Sequence, residues 1–269
     1  MYDDELHPAA LRRDGYVVIP GFVPATCVAA LRAACDAGCA GIADTPDYWT
    51  PRQLLARRAL ADVVFSAESG RVARGLLGEA TVFLPNFTMR RNARTDWHLD
   101  AAFVGELGGT GDTPNFLQCA VYLQPNSTED GGGLDAILGS HRREAFGGRQ
   151  YVPAEVLRFP QRRLASAAGD LVVWDARLLH RSTPLPAQPR APKYALHWTL
   201  AREPALARPF LEHIRRRALS DHDRASGQDR RYAAICELQF PSDFAPALAR
   251  DMAGSGIRLA SFVEAVGAA

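Results

Sequence analysis

Short apolar segments separated by turn-rich connectors, between residues 81 and 200, most constrain how this chain can fold. The connectors are rich in glycine and proline, as in GELGGTGDTPN and STPLPAQPRAP, and no helical pattern lies between successive apolar segments. A β-α-β fold needs a helix in each crossover, so the pattern predicts an antiparallel sandwich or barrel. The strand candidates are TVFLPNFTM at 81–89, FLQCAVYL at 116–123, LDAIL at 134–138, DLVVW at 170–174 and YALHWTL at 194–200.

The segments on either side of this β-rich region carry the 3.6-residue periodicity of helices. Val28 and Leu31 begin one apolar stripe, and QLLARRALADVVF forms a second helical pattern. The exception is YVVI near the N-terminus, which predicts a short strand. A length of 269 residues fits one large domain or two small ones. We therefore predict a single domain with a mostly helical N-terminal part (1–80), a β core (81–200) and a helical C-terminal part (201–269).

Composition and charge indicate which partners the chain can have. The 31 basic and 30 acidic residues leave a formal net charge of +1, and no long block of one sign occurs. A nucleic-acid or membrane-surface partner has no electrostatic support, so we expect a small-molecule partner. The five cysteines form no Cys-x-x-Cys pair, which is typical of free thiols in a reducing compartment. Since no signal-peptide pattern or long apolar run occurs, we expect a cytoplasmic protein; the pattern predicts no oligomeric state.

The sequence TDWHLD, at residues 95–100, places an imidazole and a carboxylate two residues apart. In an extended chain, residues two apart point to the same face, so His98 and Asp100 can bind one ion while Leu99 faces the core. A His-x-Asp pair alone is frequent by chance, and by itself it favours a purely structural interpretation. A metal site therefore requires a third ligand elsewhere in the chain.

His180 supplies the third candidate ligand. It closes the sequence AGDLVVWDARLLH, which we interpret as a strand, and so lies at a strand end as His98 and Asp100 do. Two histidines and one carboxylate form the facial triad of non-haem Fe(II) oxygenases, which leaves coordination positions open for a co-substrate and dioxygen. Zinc uses the same ligand types, so the set alone does not identify the metal.

Two residues that follow His180 suit the recognition of a carboxylate. The guanidinium of Arg190 can bind a carboxylate through two hydrogen bonds, and the hydroxyl of Ser182 can add a third. Such a pair can hold the far carboxylate of 2-oxoglutarate while its keto acid end chelates iron, and a zinc hydrolase has no need of this arginine. Lys193 is a rival to Arg190, although its ammonium lacks the bidentate fork.

Together these motifs resemble the phytanoyl-CoA hydroxylase (PhyH) family of Fe(II)/2-oxoglutarate-dependent oxygenases. His98-x-Asp100, His180 and Arg190 look like the family's iron ligands and carboxylate anchor, in the family's order. RRDGYVVIPGFVP resembles its opening strand and helix, EDGGGLDAILGSHRRE its Gly-Ser-His segment, and AGDLVVWDARLLHRSTP the strand of its distal histidine. The resemblance covers most of residues 11–200.

The resemblance implies a mainly β fold with flanking α-helices, namely a double-stranded β-helix (a cupin-like jelly roll) that forms one catalytic domain. Fe(II) is then bound by His98, Asp100 and His180. Ser182 and Arg190 bind the C5 carboxylate of the co-substrate 2-oxoglutarate. With O2 as the second co-substrate, the expected reaction is hydroxylation of a small polar metabolite or biosynthetic intermediate, with release of succinate and CO2.

Other polar residues near these motifs have structural interpretations beside functional ones. Asn86, on the strand before the His-x-Asp pair, is a candidate for contact with co-substrate or substrate, or its amide caps a bulge at Pro85. His141 is interpreted as hydrogen-bonded within its own turn rather than to substrate, and His197 as a hydrogen-bonded core residue rather than one that points into the barrel. A solvated loop is favoured over a role in substrate attraction for Arg90, Arg91 and Arg94.

The reaction type and the class of protein have alternatives. Desaturation, ring closure and epimerisation use the same iron ligands and differ in how the substrate is placed. Halogenation is disfavoured because halogenating relatives carry a small residue in place of the carboxylate that Asp100 provides. Outside this class, a zinc-dependent hydrolase and a non-catalytic jelly-roll binding protein are the alternatives.

Overall fold

The computed structural model of this protein contains nine α-helices and ten β-strands among the residues that it describes. These residues are 2–41, 47–100, 109, 112–127, 131–142, 158–187, 189–225, 229–238, 242, 244 and 246–260. The helices are α1 Leu6–Asp14, α2 Ala25–Gly38, α3 Pro51–Leu55, α4 Arg58–Val64, α5 Ala67–Leu77, α6 Ala207–Ala218, α7 Asp221–Ala225, α8 Asp229–Cys236 and α9 Pro246–Gly254. The strands are β1 Tyr16–Ile19, β2 Asp47–Tyr48, β3 Val82–Arg91, β4 Phe116–Tyr122, β5 Leu134–Ile137, β6 Gln161–Leu164, β7 Leu171–Asp175, β8 His180–Ser182, β9 Tyr194–Ala201 and β10 Arg258–Leu259.

The element order agrees with the predicted sequence of helices, strands and helices. Each predicted strand lies within two residues of an observed one, and YVVI coincides with β1. Between β3 and β9, the described residues contain no α-helix, and a 3₁₀ turn lies at Ser140–Arg142. The short strands β2, β6, β8 and β10 were not predicted, because two to four residues carry too little periodicity to distinguish a strand from a loop.

Contacts divide the chain into two compact units. The first consists of Met1–Asp47 and Arg90–His197, and the second of Tyr48–Met89 and Trp198–Ala269. In the second unit, β10 pairs in parallel with β3, and helices α3 to α9 accompany these strands. The prediction of a single domain is not tested by this division, and it stays a prediction.

The first unit contains strands of two sheets. In the larger sheet, β7 lies between β1 and β4 and pairs antiparallel with both. All five residues of β7 are buried, which explains why it reads as a continuous apolar run rather than an alternating one. The smaller sheet has the order β6-β5-β8, with Ala136 of β5 opposite His180 and Leu134 opposite Ser182.

The segment that was predicted as one strand ending at His180 is in fact two strands. A turn separates β7 from β8, because the backbone N–H of Leu178 donates to the carbonyl oxygen of Asp175 (2.8 Å) and the carboxylate of Asp175 accepts from the N–H of Arg177 (2.8 Å). The chain thus passes from the larger sheet to the smaller one within four residues. His180 consequently begins a strand instead of ending one.

None of the helices in the described part of the chain is long and apolar enough to span a membrane.

Candidate active site

The two predicted histidine ligands are neighbours through their backbones. His98 and His180 form an isolated antiparallel bridge, in which the N–H of each donates to the carbonyl oxygen of the other, at 2.9 Å and 3.1 Å. This pairing places residues that are 82 positions apart side by side, with ring centroids separated by 4.2 Å. Leu99, between the two ligands of the His-x-Asp pair, is buried as predicted.

Asp100 completes the cluster with both of its oxygen atoms. Its Oδ1 lies 3.5 Å from Nε2 of His98, and its Oδ2 lies 3.5 Å from Nε2 of His180. One ligand atom from each of the three residues lies within 4.8 Å of the others. Among the residues that the structure describes, this is the one group of three or more such side chains close enough to hold a metal ion.

Backbone carbonyls orient both imidazole rings. Nδ1 of His98 hydrogen-bonds the carbonyl oxygen of Asp96 (2.7 Å), and Nδ1 of His180 hydrogen-bonds that of Leu178 (2.8 Å). A carbonyl only accepts, so each Nδ1 carries a proton, and in the neutral form of each ring the lone pair is then on Nε2, on the side of the cluster. This arrangement of outer hydrogen bonds is characteristic of metal-binding histidines.

The protonation states of the cluster also suit a metal ion. Burial raises the pKa of Asp100, but the opposing effects of His180, His98 and the indole N–H of Trp174 hold it well below its usual range. Burial, together with the neighbouring His98, lowers the pKa of His180 to about 4. At neutral pH Asp100 is therefore an anion and His180 is neutral, which are the forms that bind metals. This donor set fits octahedral Fe(II), and it also fits zinc.

Comparison with known proteins identifies the family of this chain. Residues 11–191, about two thirds of its length, match the family model of phytanoyl-CoA dioxygenase (PhyH). The chain belongs to the phytanoyl-CoA dioxygenase family. The PhyH match contains all three residues of the cluster, and it confirms that this protein is an enzyme of the Fe(II)/2-oxoglutarate-dependent oxygenase class.

Solved structures similar to this PhyH protein share its fold at low sequence identity. They include the non-haem α-ketoglutarate-dependent epimerase SnoN from nogalamycin biosynthesis (20% identity, 74% of this chain and 82% of that chain, TM-score 0.59). They also include EctD from S. alaskensis with 2-oxoglutarate and 5-hydroxyectoine (22% identity, 73% and 75%, TM-score 0.57), and the carbocyclase SnoK from nogalamycin biosynthesis (18% identity, 73% and 83%, TM-score 0.57). These likenesses confirm the predicted jelly roll with flanking helices. No curated protein sequence matches the chain.

A pocket in the first unit of this PhyH protein connects the histidines to several polar groups. Ser182, two residues after His180, lines it, and so do Arg90 and Lys193. Ser182 is held by two hydrogen bonds to Thr95: its N–H donates to the Thr95 carbonyl oxygen (2.9 Å), and its Oγ accepts from the Thr95 N–H (3.1 Å). Nη2 of Arg90 donates to Oγ1 of Thr95 (2.8 Å). The cationic side chains of Arg90 and Lys193 and the hydroxyls of Thr95 and Ser182 therefore line the same pocket as the histidines of the cluster.

The predicted carboxylate anchor lies elsewhere. Arg190 lines a separate cavity of about 820 Å³, together with Arg32 of α2 and several residues of the proline-rich loop. Lys193 lines both cavities. The structure thus brings Ser182 together with the two histidines, and it places Arg190 among other neighbours.

Asn86 takes part in a polar cluster within the second unit. Its Nδ2 donates to Oγ1 of Thr199 (3.3 Å), and its Oδ1 accepts from Nη2 of Arg231 on α8 (3.4 Å). The guanidinium of Arg231 also lies over the ring of Tyr48, 5.2 Å from the centroid.

Several secondary interpretations need correction. His141 is buried and hydrogen-bonds the carbonyl oxygen of Arg12 (3.1 Å), at the end of α1, rather than a partner in its own turn. His197 is half-buried and lines the pocket. A solvated loop is wrong for Arg90 and for the buried Arg91, since both belong to β3.

The alternation of the β3 segment carries a signal for Arg90. In a strand, residues two apart point to the same face, so the alternation of the β3 segment places Asn86, Thr88 and Arg90 on one face. Trp174 was interpreted only as part of an apolar run. No local signal identifies it, because its contact with Asp100 joins residues 74 positions apart.

Proposed function

We propose that this enzyme hydroxylates a small polar metabolite or biosynthetic intermediate, with succinate and CO2 as co-products. His98, Asp100 and His180 hold Fe(II), and the observation that carries the proposal is the convergence of their ligand atoms within 4.8 Å. When bound, Fe(II) with 2-oxoglutarate and O2 supplies the oxidising chemistry. The chain itself positions the ligands and limits the access of water around them.

Ser182 and the cations that line its pocket are proposed to bind the C5 carboxylate of 2-oxoglutarate. Arg90 reaches the same Thr95 that holds Ser182, so a guanidinium and two hydroxyls lie in one contiguous cluster. Lys193 adds a second positive charge to the lining. Hydrogen bonds from a cationic donor to a carboxylate are stronger than hydrogen bonds between neutral groups. The prediction that Arg190 is the anchor is the competing assignment, and one experiment distinguishes the two.

The shape of the pocket wall near Lys193 depends on a glycine. Gly132 has a φ of +77°, and a Cβ atom built on it would lie 3.0 Å from Cγ of Lys193. The absence of a side chain at this position lets the aliphatic part of Lys193 pack against the backbone. This packing supports a fixed location for the lysine in the proposed carboxylate subsite.

The substrate is proposed to contact other polar groups of the chain. His197 and Tyr122 line the pocket with the iron ligands, and their rings are in edge-on contact at 6.3 Å. Burial raises the pKa of Tyr122 to about 12, so its hydroxyl is protonated at neutral pH and can donate a hydrogen bond to a substrate oxygen. For Asn86, contact with co-substrate or substrate stays a proposal beside its structural partners Thr199 and Arg231.

An anaerobic titration tests the proposed metal site. Addition of Fe(II) and 2-oxoglutarate to the metal-free enzyme is expected to produce the weak visible charge-transfer band of the chelate. His98→Ala is expected to abolish the band, and the matched control His7→Ala, which changes a histidine of α1, is expected to retain it. Absence of the band in the unmodified enzyme, or its persistence in His98→Ala, would contradict the assignment. Turnover with zinc and no need for 2-oxoglutarate would favour the hydrolase.

Affinity for 2-oxoglutarate tests the anchor. Loss of one charge-assisted hydrogen bond costs about 1.5–3 kcal/mol, which corresponds to a roughly 10- to 100-fold rise in Kd. We expect such a rise for Arg90→Leu and for Lys193→Met, and a change below about twofold for Arg190→Ala. If Arg190→Ala has the large effect and the other two have none, Arg190 is the anchor and the pocket assignment is wrong.

The mass of the product distinguishes hydroxylation from the other reactions of this class. SnoN is described as an epimerase and SnoK as a carbocyclase, so proteins of similar fold catalyse more than one type of reaction. Hydroxylation adds one oxygen atom, ring closure or desaturation removes two hydrogen atoms, and epimerisation leaves the mass unchanged. A screen of candidate substrates by 2-oxoglutarate turnover, followed by mass spectrometry of the products, separates these outcomes.

We also propose that the chain acts as one catalytic domain in the cytoplasm, with a small-molecule substrate and no nucleic-acid or membrane partner. The PhyH match, from residue 11 to residue 191, runs without a break through residues of both units, which supports one domain. The net charge of +1 supports the absence of a polyanionic partner. A single cooperative thermal transition is expected in calorimetry, and two resolved transitions would contradict the one-domain proposal.

A further inference from the structure

The indole of Trp174 contacts the proposed metal cluster directly. Trp174 lies on β7, its side chain is buried, and its Nε1–H donates to Oδ2 of Asp100 at 3.1 Å. The same oxygen lies 3.5 Å from Nε2 of His180. An indole N–H is a donor only, so this bond restricts the rotation of the carboxylate and favours its ionised form.

The ring of Trp174 also packs against a second member of the cluster. Its centroid lies 5.3 Å from that of His180, with the planes inclined at 61°, and 6.0 Å from that of His197, at 84°. One side chain therefore donates a hydrogen bond to the carboxylate and contacts the ring of a histidine ligand. The rigid indole thus lies against both Asp100 and His180 and can fix the position of one relative to the other.

The backbone of Trp174 is held on both sides by neighbouring strands. Trp174 is opposite Tyr16 of β1 and opposite Gln118 of β4 in the antiparallel register. The backbone of Trp174 therefore cannot move away from Asp100 without disturbing these pairings, and the indole is attached to a fixed part of the sheet.

We infer that Trp174 is a positioning residue for the metal site: its indole N–H orients Asp100, and its ring supports His180. This inference rests on the proposed iron site. Outer hydrogen bonds to metal ligands typically contribute a factor of about 10 to 100 in metal affinity. Loss of the N–H alone should therefore weaken metal binding even if the fold is unchanged.

Titration with Co(II) tests the inference without turnover or co-substrate. Co(II) is added to the metal-free full-length enzyme, and binding is followed through the visible d–d bands, whose position and intensity report the ligand arrangement. Trp174→Phe keeps an aromatic ring and removes the N–H. We expect its Kd for Co(II) to rise by about 10- to 100-fold, with altered d–d bands.

Trp97→Phe is the matched control. Trp97 is also buried, next to the His-x-Asp pair, and its Nε1 makes no hydrogen bond to the residues that the structure describes. This variant removes an indole N–H near the site without removing a bond to a ligand. Its Kd for Co(II) is expected to stay within about twofold of that of the unmodified enzyme.

The outcomes separate this inference from the proposed site. If the unmodified enzyme binds Co(II), His98→Ala does not, and Trp174→Phe binds normally, the site stands and the role of Trp174 is overturned. If the unmodified enzyme does not bind Co(II), both fail. Equal losses in both tryptophan variants would indicate aromatic packing alone and overturn the inference. Should Trp174→Phe fail to fold, benzothienylalanine at position 174 keeps the indole shape without the N–H, and the same loss of affinity is expected.

Discussion

Asp135 is expected to be essential for the strand that carries His180 and Ser182. Its buried carboxylate accepts hydrogen bonds from three side chains: Nε of Arg163 (3.1 Å), Nε of Arg181 (3.0 Å) and Oγ1 of Thr183 (2.8 Å). The register of the smaller sheet explains this, because Asp135 on β5 is opposite Arg163 on β6 and Arg181 on β8. One carboxylate thus joins all three strands of that sheet.

The cost of the substitution Asp135→Asn follows from these contacts. The amide has nearly the same shape but no charge, so the two guanidinium bonds lose their ionic character. A hydrogen bond to a charged group contributes about 1.5–3 kcal/mol. The side chains of Arg163 and Arg181 are 34% and 27% exposed, so water partly replaces the lost contacts. We therefore expect the free energy of unfolding to fall by about 2–4 kcal/mol, and Tm to fall by roughly 5–12 °C.

Urea denaturation followed by circular dichroism measures this change. Asp221→Asn is the matched control, since Asp221 pairs with Arg224 at 2.8 Å but its side chain is 93% exposed, and no measurable loss of stability is expected there. Because β8 carries His180, Co(II) affinity should also fall in Asp135→Asn and not in the control. If the two variants unfold at the same urea concentration, the proposed role of the buried carboxylate is refuted.

Three further outcomes follow from single side chains. Gly132→Ala places a Cβ 3.0 Å from Cγ of Lys193, at a φ of +77° that L residues rarely adopt. We therefore expect the free energy of unfolding to fall by about 1–2 kcal/mol, and calorimetry to show weaker binding of 2-oxoglutarate. Unchanged values for both quantities would contradict the packing of Lys193 against Gly132. Burial lowers the pKa of His141 below its ordinary value of 6.5, so the unfolded state binds more protons and stability should fall as pH drops below about 6.5. In His141→Gln, the free energy of unfolding is expected to depend less steeply on pH between pH 5 and pH 8. The same slope in the variant and the unmodified enzyme would exclude His141 as a source of the pH dependence. Burial raises the pKa of the Cys119 thiol, so a thiol reagent should modify exposed Cys27 in the native enzyme and Cys119 only after unfolding, as peptide mass spectrometry can determine.

Local patterns in the sequence determined the elements and the types of ligand. The boundaries of β1, β4, β5 and β9 could be predicted because alternation, apolar runs and flanking glycine or proline depend on neighbours along the chain. The two-residue spacing of His98 and Asp100 is a local property of the same kind. His180 was predicted as the third ligand from its position at the end of an apolar segment, and the family resemblance then supported that prediction.

The tertiary structure decided which distant residues accompany the ligands. Arg90 and Lys193 line the pocket with His180, whereas Arg190, ten residues after His180 in sequence, lines another cavity. The separation of β8 from β7 likewise depends on a turn and on pairing with β5, neither of which the apolar run DLVVW reveals.

The contact between Trp174 and Asp100 illustrates the physical reason. A donor and an acceptor that are 74 positions apart meet only after strand order and register are set. Those are determined by the burial of many side chains at once and not by any short segment. The sequence by itself therefore determined the chemistry available to this enzyme, and the packing of its sheets decided which side chains meet at the site.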